Sequence, residues 1–263
     1  LSRIPTDGVM LGNVLYINCL DQAATLADVV GDTDKAESYR ETAATAREAW
    51  NEFFIDPDTG KTKNTKGEIQ DTQASYATPL RFHVVSDENL EKVLENYNAT
   101  IAEASGEDSD GMPIVPYTLT TGFNATGNLL NALSDYGLND TAYKLFESTD
   151  YASWLYPVTQ GATSIWERWN GYTNELGFNG NNSMNSFNHY SLGAVYEWMV
   201  AYQLGIKSDE TQPGYQHFIL QPTVGGDFTE AKGSYDSVYG TIKSGWTAAD
   251  GVMTSYDVTV PAN

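Results

Sequence analysis

The 263-residue chain has one cysteine, three histidines, and only 14 lysines and arginines against 35 aspartates and glutamates. Each scarcity excludes something. A single thiol, Cys19, rules out an intramolecular disulfide framework, and three scattered histidines give no zinc-ligand spacing. Cys19 lies in the apolar run VLYINCLDQAATLADVV, which predicts a buried helical thiol rather than a nucleophile. The formal net charge of −21 repels phosphate backbones and anionic bilayers, so neither nucleic acid nor a membrane is an expected partner. No stretch reaches the about 18 consecutive apolar residues of a transmembrane helix. The start, LSRIPTDGVML, lacks the basic-then-apolar order of a signal peptide. No phosphate-cradling glycine loop and no G-x-S-x-G elbow occurs. The segment DPDTGKTKNTKGE (56–68) lacks the D-x-[DN]-x-[DN]-G spacing of a calcium loop. No cofactor and no metal is expected.

What is present is apolar and aromatic. Hydrophobic residues make up 41% and charged residues 19%, the balance of a chain that builds a core. The length suits one large domain or a domain and a half. Aromatics reach 12%, with 6 Trp and 17 Tyr. Flat rings with carboxylates and amides match the C–H faces and hydroxyl rims of a neutral sugar, although Trp and Tyr also fill cores.

The first two thirds read as helical hairpins. Over residues 8–30, Leu11, Val14, Leu15, Leu20, Leu26 and Val29 recur at roughly helical spacing. Gly31 stops that helix, and Asp32 or Thr33 caps an Ala- and Glu-rich amphipathic helix over 34–54. After the 56–68 loop, residues 71–85 and 87–104 predict a second hairpin, and 121–137 and 139–149 a third, broken at Gly137. A Gly-, Asn- and Trp-rich stretch follows to 185. Then one apolar helix is predicted over 186–206, ending at Gly205. That makes about seven helices, with short links typical of antiparallel neighbours. Beyond Pro213, HFILQPTV, AKGSYDSVYGTIKSGW and MTSYDVTVP alternate apolar and polar residues between turns, which predicts antiparallel strands.

Candidate chemistry centres on TSIWERW (163–169) and NSFNHYSLG (185–193). Two readings fit Glu167: one of the two carboxylates that glycoside hydrolysis needs, kept ionised by neighbouring Arg168, or half of a surface pair beside structural tryptophans. His189, after the flexible stretch NGNNSMNS, suits hydrogen bonding to sugar hydroxyls or capping of the helix that follows. Trp154 and Tyr156 either stack on a sugar ring or fill a core. His83 and His217 sit in apolar segments and read as structural.

Taken in order, these strings resemble the bacterial α-L-rhamnosidases of glycoside hydrolase family 78: a helical hairpin ending in GD, then DTQASYATPL, LTTGFNATGNLLNALSDYG, D-Y-x-S-W-L-Y-x-V-x-Q-G-A-T-x-I-W-E-R-W, N-H-Y-S-L-G-A-V-x-E-W, PGYQHFILQP, S-Y-x-S-x-Y-G-x-I and VTVPAN. The resemblance covers nearly the whole chain. It implies a mainly α fold, part of an (α/α) six-hairpin toroid over 1–208, followed by the start of an antiparallel β-sandwich over 209–263. It implies an inverting hydrolase of terminal α-L-rhamnosides, with a rhamnose-containing glycoside or polysaccharide as partner. Glu167 matches the family's general base and His189 its sugar-side histidine. Trp154, Trp169 and Arg168 match positions near the sugar. One departure stands out. The family's acidic motif D-x-P-x-R-D-E-R, which carries the general acid, does not occur in these 263 residues. The expectation is therefore a fragment, inactive or nearly so by itself, whose open inner helical face favours self-association. The acidic surface fits a secreted or cell-surface bacterial enzyme. A toroid glycosidase for another sugar, a non-catalytic carbohydrate-binding module and a purely structural scaffold are the alternatives.

Overall fold

Asp7 starts the first helix. Its carboxylate accepts the N–H groups of Val9 and Met10, the orphan donors that every helix start must satisfy. The computed structural model describes residues 3–178 and 183–262, so part of the NGNNSMNS stretch lies outside the described residues. The chain divides into two compact units, residues 1–136 with 150–152, and residues 137–149 with 153–263.

The first unit is built from helices α1 (Gly8–Val29), α2 (Thr33–Phe54), α3 (Gln73–Arg81), α4 (Asp87–Ala102) and α5 (Phe123–Asp135). Gly31 closes α1 in the left-handed region at φ 81°, and the Asp32 carboxylate caps α2 through the Lys35 N–H, as the sequence predicts. The buried stripe of α1 is Met10, Val14, Ile17, Leu20, Ala24 and Ala27, packed on α2, which buries Ala36, Ala43, Trp50 and Phe54. This corrects the expected face. Val14 and Leu20 are inside, but Leu26 and Val29 are 66% and 79% exposed and Leu15 is exposed too. The physical reason is close approach: alanines at 24, 27, 36 and 43 let the two backbones come together, so the stripe runs through small residues. Cys19 falls off that stripe and is exposed, not buried as expected.

Helix α3 is buried from Gln73 to Leu80. Its start carries a Thr72–Ser75 capping box, and its Gln73 side chain ties residues 118–120 to the helix through Thr118 O and Thr120 N–H. Helices α4 and α5 pack on it. Near the chain start, Arg3 is buried and pairs with buried Asp108 at 2.7 Å, while its guanidinium also donates to Pro113 O and stacks over the Tyr151 ring. The sequence reads His83 as structural, and the structure places it at the surface. It is exposed, in a left-handed conformation, with Nδ1 3.3 Å from the Tyr136 hydroxyl.

The second unit opens with α6 (Asn139–Glu147) and the short α7 (Tyr156–Thr159). The single helix expected over 186–206 is replaced by a shorter mixed run: a 3₁₀ turn at Ser191–Ala194, α8 (Val195–Trp198) and a π turn at Met199–Gln203. Side-chain donors from outside the run hold carbonyls at its start and end. The Trp154 indole N–H takes Leu192 O at 2.9 Å, the Trp246 indole takes Gln203 O at 2.7 Å, and the Ser244 hydroxyl takes Leu204 O at 2.6 Å. The Leu204 N–H then reaches back five residues to Met199 O.

Antiparallel strands follow, as the alternation predicts. β1 (Ile206–Ser208) pairs with β2 (Phe218–Leu220) in register Ile206↔Leu220. β3 (Glu230–Ser237), β4 (Gly240–Ala249) and β5 (Val252–Thr259) form a three-stranded sheet with a bulge at Thr247/Ala248. Ile242, Ser244, Trp246 and Ala248 of β4 point inward, a period of two. His217 is exposed and sits 2.8 Å from the Asp209 carboxylate.

Candidate active site

The two motifs singled out in the sequence lie side by side in the second unit. The Glu167 N–H donates to Ser186 O at 2.9 Å, and the Ser186 N–H donates back to Glu167 Oε2 at 2.9 Å. Two residues along, the His189 N–H donates to Ile165 O at 2.9 Å, and the Ser164 hydroxyl donates to Phe187 O. Residues 164–167 and 186–189 therefore run antiparallel without forming a regular strand pair. Gly171 allows this approach. A Cβ there would stand 3.2 Å from Asn185 Oδ1 and 3.3 Å from a Phe187 ring carbon.

Aromatic rings fix the backs of these segments. Trp166 meets Phe187 edge-on at 5.0 Å, and Trp154 meets Trp169 edge-on at 5.9 Å, favoured geometries for ring quadrupoles. Trp154 and Trp169 are 8% and 5% exposed. With Pro157, Ile165, Trp166 and Leu192 they line a cavity of about 360 Å³, within the range of small-molecule sites. Glu167, Arg168 and His189 adjoin this wall in sequence and are not part of its lining. Glu167 and His189 are half-buried. The His189 ring lies parallel to the Tyr190 ring, centroids 5.6 Å apart, and its Nδ1 accepts a long bond from the Ser191 N–H at 3.4 Å, which in the neutral ring leaves the proton on Nε2. Arg168 Nε is buried without a hydrogen-bond partner, and the Glu167 carboxylate accepts the Ser186 amide. Among the described residues, no group of three or more His, Cys, Asp or Glu side chains gathers to hold a metal ion.

Sequence reasoning pointed to Glu167, His189, Trp154, Trp169 and Arg168, and the structure brings the IWERW and NHY segments together. It missed the Ser186 amide, Gly171 and the cavity walls Pro157 and Leu192. Nothing in the sequence marks a backbone N–H as a ligand. The one available signal was the glycine three residues after Arg168.

The order of elements, helical hairpins, a Trp-lined cavity adjoining the IWERW segment and then antiparallel strands, matches a six-hairpin glycosidase domain followed by a β domain. Residues 2–202 match the bacterial alpha-L-rhamnosidase 6 hairpin glycosidase domain, and residues 205–263 match the bacterial alpha-L-rhamnosidase C-terminal domain. The chain belongs to the bacterial α-L-rhamnosidase family. An alpha-L-rhamnosidase of Formosa agariphila is 32% identical over 98% of this chain and 26% of its own length. One of Streptomyces avermitilis is 31% identical over 92% of this chain and 21% of its length. The crystal structure of the Streptomyces avermitilis alpha-L-rhamnosidase complexed with L-rhamnose superposes with a TM-score of 0.75 at 31% identity, covering 91% of this chain and 21% of that one. The native Aspergillus terreus enzyme superposes with a TM-score of 0.80 at 25% identity, over 96% and 26%. The chain thus spans about a quarter of the length of these relatives.

Proposed function

We propose that this chain forms part of an inverting glycoside hydrolase that releases terminal α-L-rhamnose, with Glu167 as general base. The observation that carries the reading is the pairing of the two motifs, in which the Glu167 carboxylate is anchored through one oxygen to the Ser186 amide of the segment that carries His189. In an inverting reaction one carboxylate removes a proton from the attacking water while a carboxylic acid, roughly 6.5–9.5 Å away, protonates the departing oxygen. Glu167 takes the first role. His189 holds a sugar hydroxyl through Nε2–H, Arg168 offers its guanidinium donors to the same sugar, and Trp154 with Trp169 stiffens the wall behind. A rhamnose-containing glycoside is the expected partner. Such a neutral ligand suits a chain of charge −21.

The second role has no donor here, because the D-x-P-x-R-D-E-R string does not occur in the sequence. General acid catalysis contributes about 10²–10⁴-fold, so this polypeptide alone hydrolyses aryl rhamnosides at least about 10²-fold more slowly than a polypeptide that also carries the acid. We divide it at residue 208 into a toroid part and a β part, and place the parent enzyme outside the cell. The stereochemistry is tested by proton NMR of the first-released sugar, using the longest natural polypeptide that contains this sequence. The reading expects the inverted anomer before mutarotation. Retention would overturn it.

A further inference from the structure

We propose that the Ser186 backbone amide is a positioning group for the proposed base, and that Gly171 makes the space that lets residues 185–187 lie against it. This rests on the reading of Glu167 as general base.

Glu167 and Ser186 meet twice, main chain to main chain and amide to carboxylate, each at 2.9 Å. A glutamate side chain on a half-exposed residue has several rotamers of similar energy. A charge-assisted bond from a fixed backbone donor selects one of them. That bond takes Oε2 and leaves Oε1 for the proton of the attacking water, which is the division of labour a general base needs. Residue 186 is itself held in register on its C-terminal side by the Ser164 hydroxyl on Phe187 O and the His189 N–H on Ile165 O. On the other side, Gly171 backs both neighbours of Ser186. Any side chain there pushes Asn185 Oδ1 or the Phe187 ring by a few tenths of an ångström. A misplacement of about 1 Å costs roughly 10²-fold in a site built for near-attack geometry, so a smaller shift is expected to cost a smaller factor.

Three substitutions and one exchange measurement test this. Ser186→Pro deletes the N–H. Gly171→Ala crowds the Asn185 Oδ1 and the Phe187 ring on either side of Ser186. Ser186→Thr keeps the amide and also the hydroxyl that accepts the Asn188 N–H. Hydrolysis of 4-nitrophenyl α-L-rhamnoside is followed on the longest natural polypeptide containing this sequence. We expect kcat to fall about tenfold or more in Ser186→Pro and Gly171→Ala with KM within about twofold, and Ser186→Thr to rescue kcat relative to Ser186→Pro. On the 263-residue chain, the Ser186 amide, on an exposed residue, should exchange with solvent deuterium about tenfold or more slowly than in an unstructured peptide. Glu167→Ala should abolish that protection. An unprotected Ser186 amide, or a folded Ser186→Pro or Gly171→Ala variant with full kcat, overturns the proposal. If Ser186→Pro does not fold, exchange and Gly171→Ala decide. Failure of the underlying reading looks different: Glu167→Gln would then keep its kcat while the Ser186 amide stayed protected.

Discussion

Asp7 joins the start of α1 to the loop at Thr65 with one carboxylate. It caps α1 and, through its second oxygen, accepts the N–H and the hydroxyl of Thr65. Those bonds, the Thr65 amide first and its hydroxyl next, hold its pKa at about 2 against an ordinary 3.8. The ionised form is the one the fold favours. Its contribution is therefore complete above about pH 4 and is lost as pH falls through about 2. Asp7→Ala should cost about 1 kcal/mol at pH 7 and flatten the pH dependence of the urea midpoint between pH 4 and 2, read by circular dichroism. Asp108 acts in the same direction. Burial pushes its carboxyl up, but Arg3 and the amides of Met112 and Asp110 outweigh that and leave it below the ordinary range. Single residues were unevenly legible. The IWERW and NHY segments could be singled out because motifs carry side-chain identity, whereas the amide that binds Glu167 belongs to a serine whose side chain is irrelevant to that bond. Cys19 was misread because an apolar neighbourhood in sequence is not a buried one in space. It should react in full with a thiol reagent in the folded chain.

At the scale of elements, caps and breakers were the dependable signals. Gly31, Asp32 and Gly205 stand where the sequence puts a stop, a cap and a stop. Periodicity located α1 and α2 but not the face of α1, because alanine packing outcompeted leucine burial there. The 191–203 run was unreadable in detail: its end carbonyls meet indoles from 154 and 246, and Leu204 O just beyond it meets the Ser244 hydroxyl, all far away in sequence. Gly205 gives the sharpest element-level prediction. Its φ is 73°, and a Cβ there would stand 2.1 Å from Pro222 N and 2.2 Å from Gln221 C, both backbone. Gly205→Ala should cost on the order of 2–4 kcal/mol, visible as a lowered melting temperature and weakened β1–β2 pairing.

For the molecule as a whole, the exposed apolar residues of α1 matter most. Leu15, Tyr16, Leu26, Val29 and Val30 lie open on one helix and its end, more than a solvated helix face usually shows. We expect the 263-residue chain to self-associate, with its light-scattering mass rising with concentration and falling back in Leu26→Lys/Val29→Lys. A concentration-independent monomer would remove this expectation. The fold class was legible from the alternation of helical hairpins and strands, but the division into two compact units was not, because residues 150–152 and 137–149 cross the chain order. The central claim is that the Glu167 carboxylate activates the attacking water. The most direct test is Glu167→Gln in the longest natural polypeptide containing this sequence, assayed for kcat on 4-nitrophenyl α-L-rhamnoside alongside L-rhamnose affinity. The account predicts that kcat drops about 10²–10⁴-fold while rhamnose still binds. An amide variant that turns over at the parent rate would contradict it.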